Sequence, residues 1–376
     1  MKLIYVAYGN VSVFSSQVVA LLNHYILSDK FKEIILLFGV DYNAKVNENK
    51  LKDLDENIRV MFFKQYPQYM LIENKTIKSI AKTLKEVDKL DEYVIHIRNE
   101  VTAHYVFKAI EKIGIKNNKL LADVRGAGLE QLLEFSNKNK LILAFKKIQR
   151  EKVDGTLSKI KNISVVSDAL KFYIMNKLGV DLNIYVNSCL ANQSFKFNPD
   201  DRINIRDELN ISTTDNLLVL STGGDSPWQN TAKTINFLTD RNFKVLNLSK
   251  TVIEHENVIT RFVPYNEVSK YLSAADAAII WREISVTNKV ASPVKFSEYM
   301  CCGLPVITNK SIDLITNYIN KNKSGVILED IDEINEETLS NLKQLDRFIK
   351  SSEAIQVYGI ETIANNYIKI YNKLIA

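Results

Sequence analysis

Two stretches of the chain hold side chains that could do chemistry. In Ser292-Pro-Val-Lys-Phe-Ser-Glu-Tyr-Met-Cys-Cys-Gly-Leu-Pro-Val-Ile307, Lys295 and Glu298 stand three residues apart. They therefore share one face of a helix. Ser292 is an expected N-cap with Pro293 at the first helical position, Gly303 ends the helix, and Leu304 to Thr308 reads as a buried strand that Pro305 can open. An acid and a base thus sit at the mouth of a parallel sheet, either as a site or as a surface ion pair of little consequence. In the second stretch, His96 and Arg98 end one expected strand and Asp123 and Arg125 end its neighbour. Ligands of open parallel sheets bind outside the carboxyl ends of the strands. An Asp or His there could take a proton from a hydroxyl, and planar guanidinium groups suit a phosphate or carboxylate. The alternative is an Asp/Arg ion pair that ties two loops together.

The elements that position these residues alternate strand and helix. The apolar run 2–8 lacks alternation, as a parallel strand covered on both faces does, and breaks at Gly9-Asn10 before an expected helix 12–27. Strands are expected at 33–38, 58–63, 93–98, 162–166 and 184–186. Helices are expected at 69–90, 100–113 and 168–178, and a polar linker at 187–201. The second half repeats the pattern, with strands at 216–220, 243–248, 258–263 and 276–281. Its glycine turn Ser221-Thr-Gly-Gly-Asp-Ser-Pro-Trp-Gln-Asn230 leads into a helix ending at Thr239, Pro264-Tyr265 opens the helix 266–274, and a helical tail covers 336–375.

At 376 residues the chain is long enough for two domains, each with its own core. Hydrophobic residues at 46% and charged residues at 25% fit a globular protein rather than a disordered or membrane-embedded one. No apolar run reaches the length of about 18 residues that a membrane span needs, and Met-Lys-Leu-Ile-Tyr-Val-Ala enters a strand, so a cytoplasmic location is expected. Three cysteines, two of them adjacent, exclude a disulfide framework. The net charge of +5 is mild, but residues 137–161 hold eight Lys or Arg against Glu151 and Asp154, a local balance of +6. Such a basic, partly amphipathic helix either contacts an anionic membrane surface from one side or is a solvated structural face. Asp53-Leu-Asp55 and Asp330-Ile-Asp332 lie in polar connections, and no metal site is expected from them.

The segment 292–307 resembles the donor-binding signature of glycosyltransferase family 4. That resemblance implies the GT-B fold, an α/β architecture of two Rossmann-like domains whose parallel sheets face an interdomain cleft. It places an acceptor-binding domain at 1–190, with the C-terminal helix 360–376 packing back on it, and a donor-binding domain at 191–359. By resemblance, Glu298 holds the ribose of a nucleotide-sugar, since a carboxylate can accept from both ribose hydroxyls, while the helix start faces the diphosphate. The family's glycine turn, here Gly223 and Gly224, holds the diphosphate as well. The family's second Glu is replaced by Val290, and its diphosphate-binding Arg and Lys by Gly224 and Gln229. Glu283, Asn288 and Lys295 are the candidates for the missing carboxylate's work, and Arg282, Lys289 and Lys295 for the missing cations. Ser292 completes the donor set, and Tyr265, after Val263, is placed at the nucleobase. Arg98, then Asp123-Val-Arg-Gly126 with Glu130 following, resemble a bacterial polysaccharide branch of the family. This makes His96, Arg98, Asp123, Arg125 and Glu130, with Gly9 and Asn10, the expected acceptor side.

The expected activity is glycosyl transfer of the hexosyltransferase type from a nucleotide-sugar, a UDP-sugar by preference, to a hydroxyl of a glycan or lipid-linked acceptor. By resemblance it retains anomeric configuration, uses no metal and no further cofactor, and serves bacterial surface polysaccharide or capsule synthesis. Asp123, Arg125 and Lys295 are the expected catalytic residues, and no nucleic-acid partner is expected. A two-Rossmann nucleotide-sugar epimerase and a non-catalytic GT-B partner subunit are the competing readings. The second of these rests on Gly224, Gln229 and Val290.

Overall fold

The computed structural model describes residues 1–9, 13–45, 48–67, 72–116, 119–135, 140–179, 181–220 and 227–376, without the side chains of 140, 141 and 227. The chain divides into one unit of residues 1–188 and 364–376 and another of 189–363.

Runs of apolar residues without alternation need cover on both faces, and the first unit provides it. Its strands are β1 (Lys2–Tyr8), β2 (Glu33–Asp41), β3 (Arg59–Gln65), β4 (Tyr93–Arg98), β5 (Leu120–Val124), β6 (Asn162–Val165) and β7 (Asn183–Val186). They form one parallel sheet in the order β3-β2-β1-β4-β5-β6-β7, with β4 and β5 buried along their whole length. The order reverses direction between β1 and β4. In register, Arg98 lies opposite Asp123, so the two expected strand ends do fall side by side.

The second unit holds β8 (Leu217–Leu220), β9 (Lys244–Asn247), β10 (Val258–Thr260), β11 (Ala277–Ile280), β12 (Val306–Thr308) and β13 (Gly325–Ile327). These form a parallel sheet in the order β10-β9-β8-β11-β12-β13, with its switch point between β8 and β11. Leu217, Val219 and Ala278 enter one core, while Leu218, Leu220 and Ile279 enter another on the opposite face. The fold is that of the GT-B glycosyltransferases, two Rossmann-like parallel sheets flanked by helices.

Several expected boundaries move. The helix expected at 12–27 runs as a π turn over Ser15–Val19 and an α-helix over Ala20–Leu27, with Ser12 outside the described residues. The helix expected at 69–90 covers Glu73–Leu84. The chain then turns through Lys89, at φ +50°, and Val87 and Leu90 are buried. The linker is shorter than expected, because Asn198 accepts from the N–H groups of Asp200 and Asp201 and starts the helix Pro199–Glu208 with its proline at the first turn. The tail is three helices, Glu336–Lys343, Arg347–Tyr358 and Ile360–Ile375.

Candidate functional site

The switch point of the second unit collects the donor-side residues. Leu220 at the end of β8 and Ile279 and Ile280 at the end of β11 floor a cavity of about 40 Å³. Gln229, Thr231, Trp281, Arg282, Lys295 and Tyr299 complete its walls. The space suits a few ligand atoms rather than a whole nucleotide. Its position is where open parallel sheets hold ligands.

Arg282 follows β11 directly and is held there by its neighbours. Asn309 donates to its carbonyl (2.7 Å), and its Nη1 donates to Asn288 Oδ1 (3.3 Å). Among the described residues no carboxylate forms an ion pair with it. Burial pushes its pKa down to about 10, which leaves it charged at neutral pH with its charge uncompensated. Lys295 contributes the second cation. Its Nζ lies 3.5 Å from Glu298 Oε2, on the helical face that the spacing required. Glu298 is 1% exposed, and that same Oε2 has no hydrogen-bond partner. A buried carboxylate oxygen held only by a lysine at 3.5 Å is short of the partners that such groups normally have.

The helix carrying these residues spans Val294–Cys301. Ser292 is not its cap, contrary to expectation. Pro293 occupies that position with extended backbone, while Ser292 Oγ accepts the N–H of Cys189 (3.2 Å) and its carbonyl accepts from Cys189 Sγ (3.0 Å). The helix does end as expected, with Gly303 at φ +59°. A Cβ there would lie 2.1 Å from the Arg347 carbonyl oxygen, so glycine is required on both counts.

Other donor-side residues serve the loop rather than the cavity. Asn288 is fully buried and donates to the carbonyls of Glu283 (2.9 Å) and Trp228 (3.4 Å), so its amide is spent on loop structure. Glu283 is exposed and only 3.8 Å from Lys233, and Lys289 is exposed at the end of a short helix capped by Ser285. Tyr265 packs on Phe195 (ring centroids 5.3 Å apart) and is not among the residues that line this small cavity. Gly223 and Gly224 lie outside the described residues.

The strand ends of the first unit do come together, but inside the protein. Asp123 is fully buried. Its oxygens lie 3.4 Å from Arg125 Nη1, 3.7 Å from Arg98 Nη1 and 3.6 Å from His96 Nε2, and Oδ1 accepts from the Tyr367 hydroxyl at 3.3 Å. Burial alone would raise its pKa, but Arg125, with His96 and Arg98 behind it, outweighs burial and holds the carboxyl well below the usual range. Asp123 is out of contact with solvent here and holds Arg98 and Arg125 in place. His96 is buried too, its pKa lowered by burial, with Nδ1 2.6 Å from the Tyr371 hydroxyl. Arg125 keeps part of its side chain exposed. Glu130 faces the Tyr173 hydroxyl.

Gly9 lines a separate cavity of about 260 Å³ at the ends of β1 and β2, together with Tyr8, Asp41, Lys45 and Lys50. Asn10 lies outside the described residues. Among the described residues no three His, Cys, Asp or Glu side chains could hold a metal ion, and no helix is long and apolar enough to cross a membrane.

Some residues escaped the sequence reading. Tyr367 and Tyr371 complete the Asp123 and His96 environment from more than 240 positions away, which no local pattern signals. Arg347 donates to the carbonyls of Leu272, Ser273, Ala275 and Cys302, and so fixes the carboxyl ends of two helices, including the one that carries Glu298. Trp281 and Tyr299 were visible only as neighbours of Arg282 and Glu298.

Residues 279–358 match the family described as the C-terminal domain of glucosyltransferase 3-like proteins. No curated protein sequence is significantly similar to the chain. Among solved structures, sucrose-phosphate synthase from Thermosynechococcus elongatus is similar over 100% of this chain and 99% of its own, with a TM-score of 0.71 at 13% identity. A glycosyltransferase from Rickettsia africae is similar over 99% and 98%, with a TM-score of 0.68 at 14% identity. HepE from Anabaena, solved with UDP-glucose, is similar over 99% and 100%, with a TM-score of 0.69 at 12% identity. These likenesses show the GT-B fold.

Proposed function

We propose that the protein is a glycosyltransferase that moves a hexosyl group from a nucleotide-sugar, by preference a UDP-sugar, to a hydroxyl of a glycan or lipid-linked glycan. The observation that carries this reading is the uncompensated Arg282 beside Lys295 at the switch point of the second sheet, next to the unsatisfied carboxylate of Glu298. Two cations and a carboxylate suit a diphosphate joined to a ribose. The resemblance to family 4 gives the same assignment, and HepE, of the same fold, was solved with UDP-glucose.

In this reading the bond between the sugar's anomeric carbon and the diphosphate oxygen breaks, and a bond to the acceptor oxygen forms on the same face. The acceptor's proton passes to the departing diphosphate. Arg282 and Lys295 stabilise the negative charge that develops there, taking the place of the cations lost at Gly224 and Gln229. Glu298 orients the ribose. Residues 189–363 hold the donor, and the first unit, with Arg125 and the cavity at Gly9, holds the acceptor. Transfer with retention, without a metal, in the cytoplasm and for surface polysaccharide, completes the proposal.

A panel of UDP-, GDP-, ADP- and dTDP-sugars in the presence of EDTA tests it. One donor is expected to raise the melting temperature and to release nucleotide slowly, and release is expected to vanish in Glu298→Ala. Stabilisation by none of them, with the protein folded, would favour the non-catalytic partner.

A further inference from the structure

The helix Lys140–Ile160 has two unlike halves. Its second half is locked into the first unit. Val153, Leu157 and Ile160 are buried, and Arg150 bonds Glu100 (2.6 Å) and Asp154 (3.0 Å). Its first half carries large apolar side chains in the open. Phe145 is 61% exposed, Ile142 47% and Ile148 44%, and Leu133 on the preceding helix Gly128–Phe135 is 54% exposed. Residues 142, 145 and 148 stand three apart, a stripe roughly 9 Å long. A cluster of this kind on an isolated surface is a contact site rather than a scatter of single residues.

The charge pattern identifies the partner. From 136 to 149 the sequence has Lys138, Lys140, Lys146 and Lys147 and no acidic residue. Lys147 is exposed among the apolar side chains. A second copy of this chain meeting the same face would set lysines against lysines, which costs association. An anionic bilayer answers both features, since apolar side chains enter the acyl boundary while lysines meet headgroups. We infer that Leu133, Ile142, Phe145 and Ile148, flanked by Lys146 and Lys147, form a peripheral docking surface for membranes rich in anionic lipid. The surface stands independently of the donor site, and an enzyme held there would meet a lipid-linked acceptor at the headgroup level.

Vesicle flotation of the full chain tests this, using phosphatidylcholine alone and phosphatidylcholine with added phosphatidylglycerol, at low and high salt. Binding is expected only with the anionic lipid and to fall with salt. The double variants F145S/I148S and K146Q/K147Q are each expected to lose about tenfold or more of vesicle binding while keeping the wild-type melting temperature, since Phe145, Ile148 and Lys147 are exposed and glutamine at 146 keeps a donor for Gln149. Three results would each overturn the inference: no flotation, equal flotation with the neutral vesicles, or a dimer in size-exclusion chromatography that F145S/I148S dissolves. Because both lipid binding and the nucleotide-induced melting shift are measured on the same preparation, failure of one leaves the other standing.

Discussion

Two clusters of Arg and carboxylate sit at the carboxyl ends of parallel strands in this chain, and their electrostatic states are opposite. In the first unit, Arg98 and Arg125 close on the buried Asp123, and His96, Tyr367 and Tyr371 seal the cluster from behind. In the second, among the described residues, the Arg282 guanidinium donates to the amide oxygen of Asn288, and Glu298 Oε2 has a lysine at 3.5 Å and no hydrogen bond. Each cluster keeps a buried carboxylate oxygen without a hydrogen-bond partner, Asp123 Oδ2 and Glu298 Oε2, but in the first the carboxylate charge is met by two arginines. In the second, among the described residues, Arg282 has no carboxylate partner, and that unmatched charge marks a binding site where residue type alone does not.

The sharpest way to break this comparison is to remove Asp123. Asp123→Asn leaves the buried Arg98 and the half-buried Arg125 without their carboxylate, and a loss of about 3–5 kcal/mol in stability is expected by chemical denaturation, with nucleotide affinity unchanged in whatever fraction stays folded. A loss of affinity at unchanged stability would reverse the roles of the two clusters. Glu298→Gln comes next. It keeps the shape but weakens hydrogen bonds to two ribose hydroxyls, so nucleotide affinity should fall by about 2–3 kcal/mol in calorimetry, with little change in melting temperature. Arg282→Gln is expected to cost about 1.5–3 kcal/mol of affinity for a diphosphate, and to stabilise or leave unchanged the protein without ligand, because a half-buried charge with no carboxylate partner among the described residues is removed.

The smallest effect is on pH. The His96 pKa is lowered in the folded state, so below about 6.5 the unfolded chain takes up a proton that the folded one refuses, and stability falls with acidification. Asp123 has a depressed pKa, so its contribution is present above about pH 4 and is lost as pH falls further. Both act in the same direction. Urea midpoints between pH 7 and 3 should decline in two stages, the first of them absent in His96→Gln.

The alternating strands and helices and the segment around Glu298 were legible because local chemistry dictates them. Gly303 had to end a helix, and Lys295 and Glu298 had to share a face. The state of the first cluster was not legible. His96, Arg98, Asp123 and Arg125 read as a site, with an ion pair as the alternative, and the tyrosines that pack on them arrive from the chain's last helix. Ser292 misled for a related reason. Its sequence context fits a cap, but Cys189 claims its hydroxyl across 103 positions. Tyr265 packs on Phe195 and the Asn288 amide bonds the Glu283 carbonyl, contacts that no local pattern signals.

The most direct test of the central claim is a calorimetric titration of the wild type and of R282Q/K295Q with UDP, UMP and uridine, and with the matching GDP and ADP series. The wild type is expected to prefer one base and to bind its diphosphate at least about tenfold more tightly than its monophosphate, an advantage that the double variant loses. Equal affinity for diphosphate and monophosphate, or an advantage that survives in R282Q/K295Q, would contradict the assignment of Arg282 and Lys295 to a donor diphosphate.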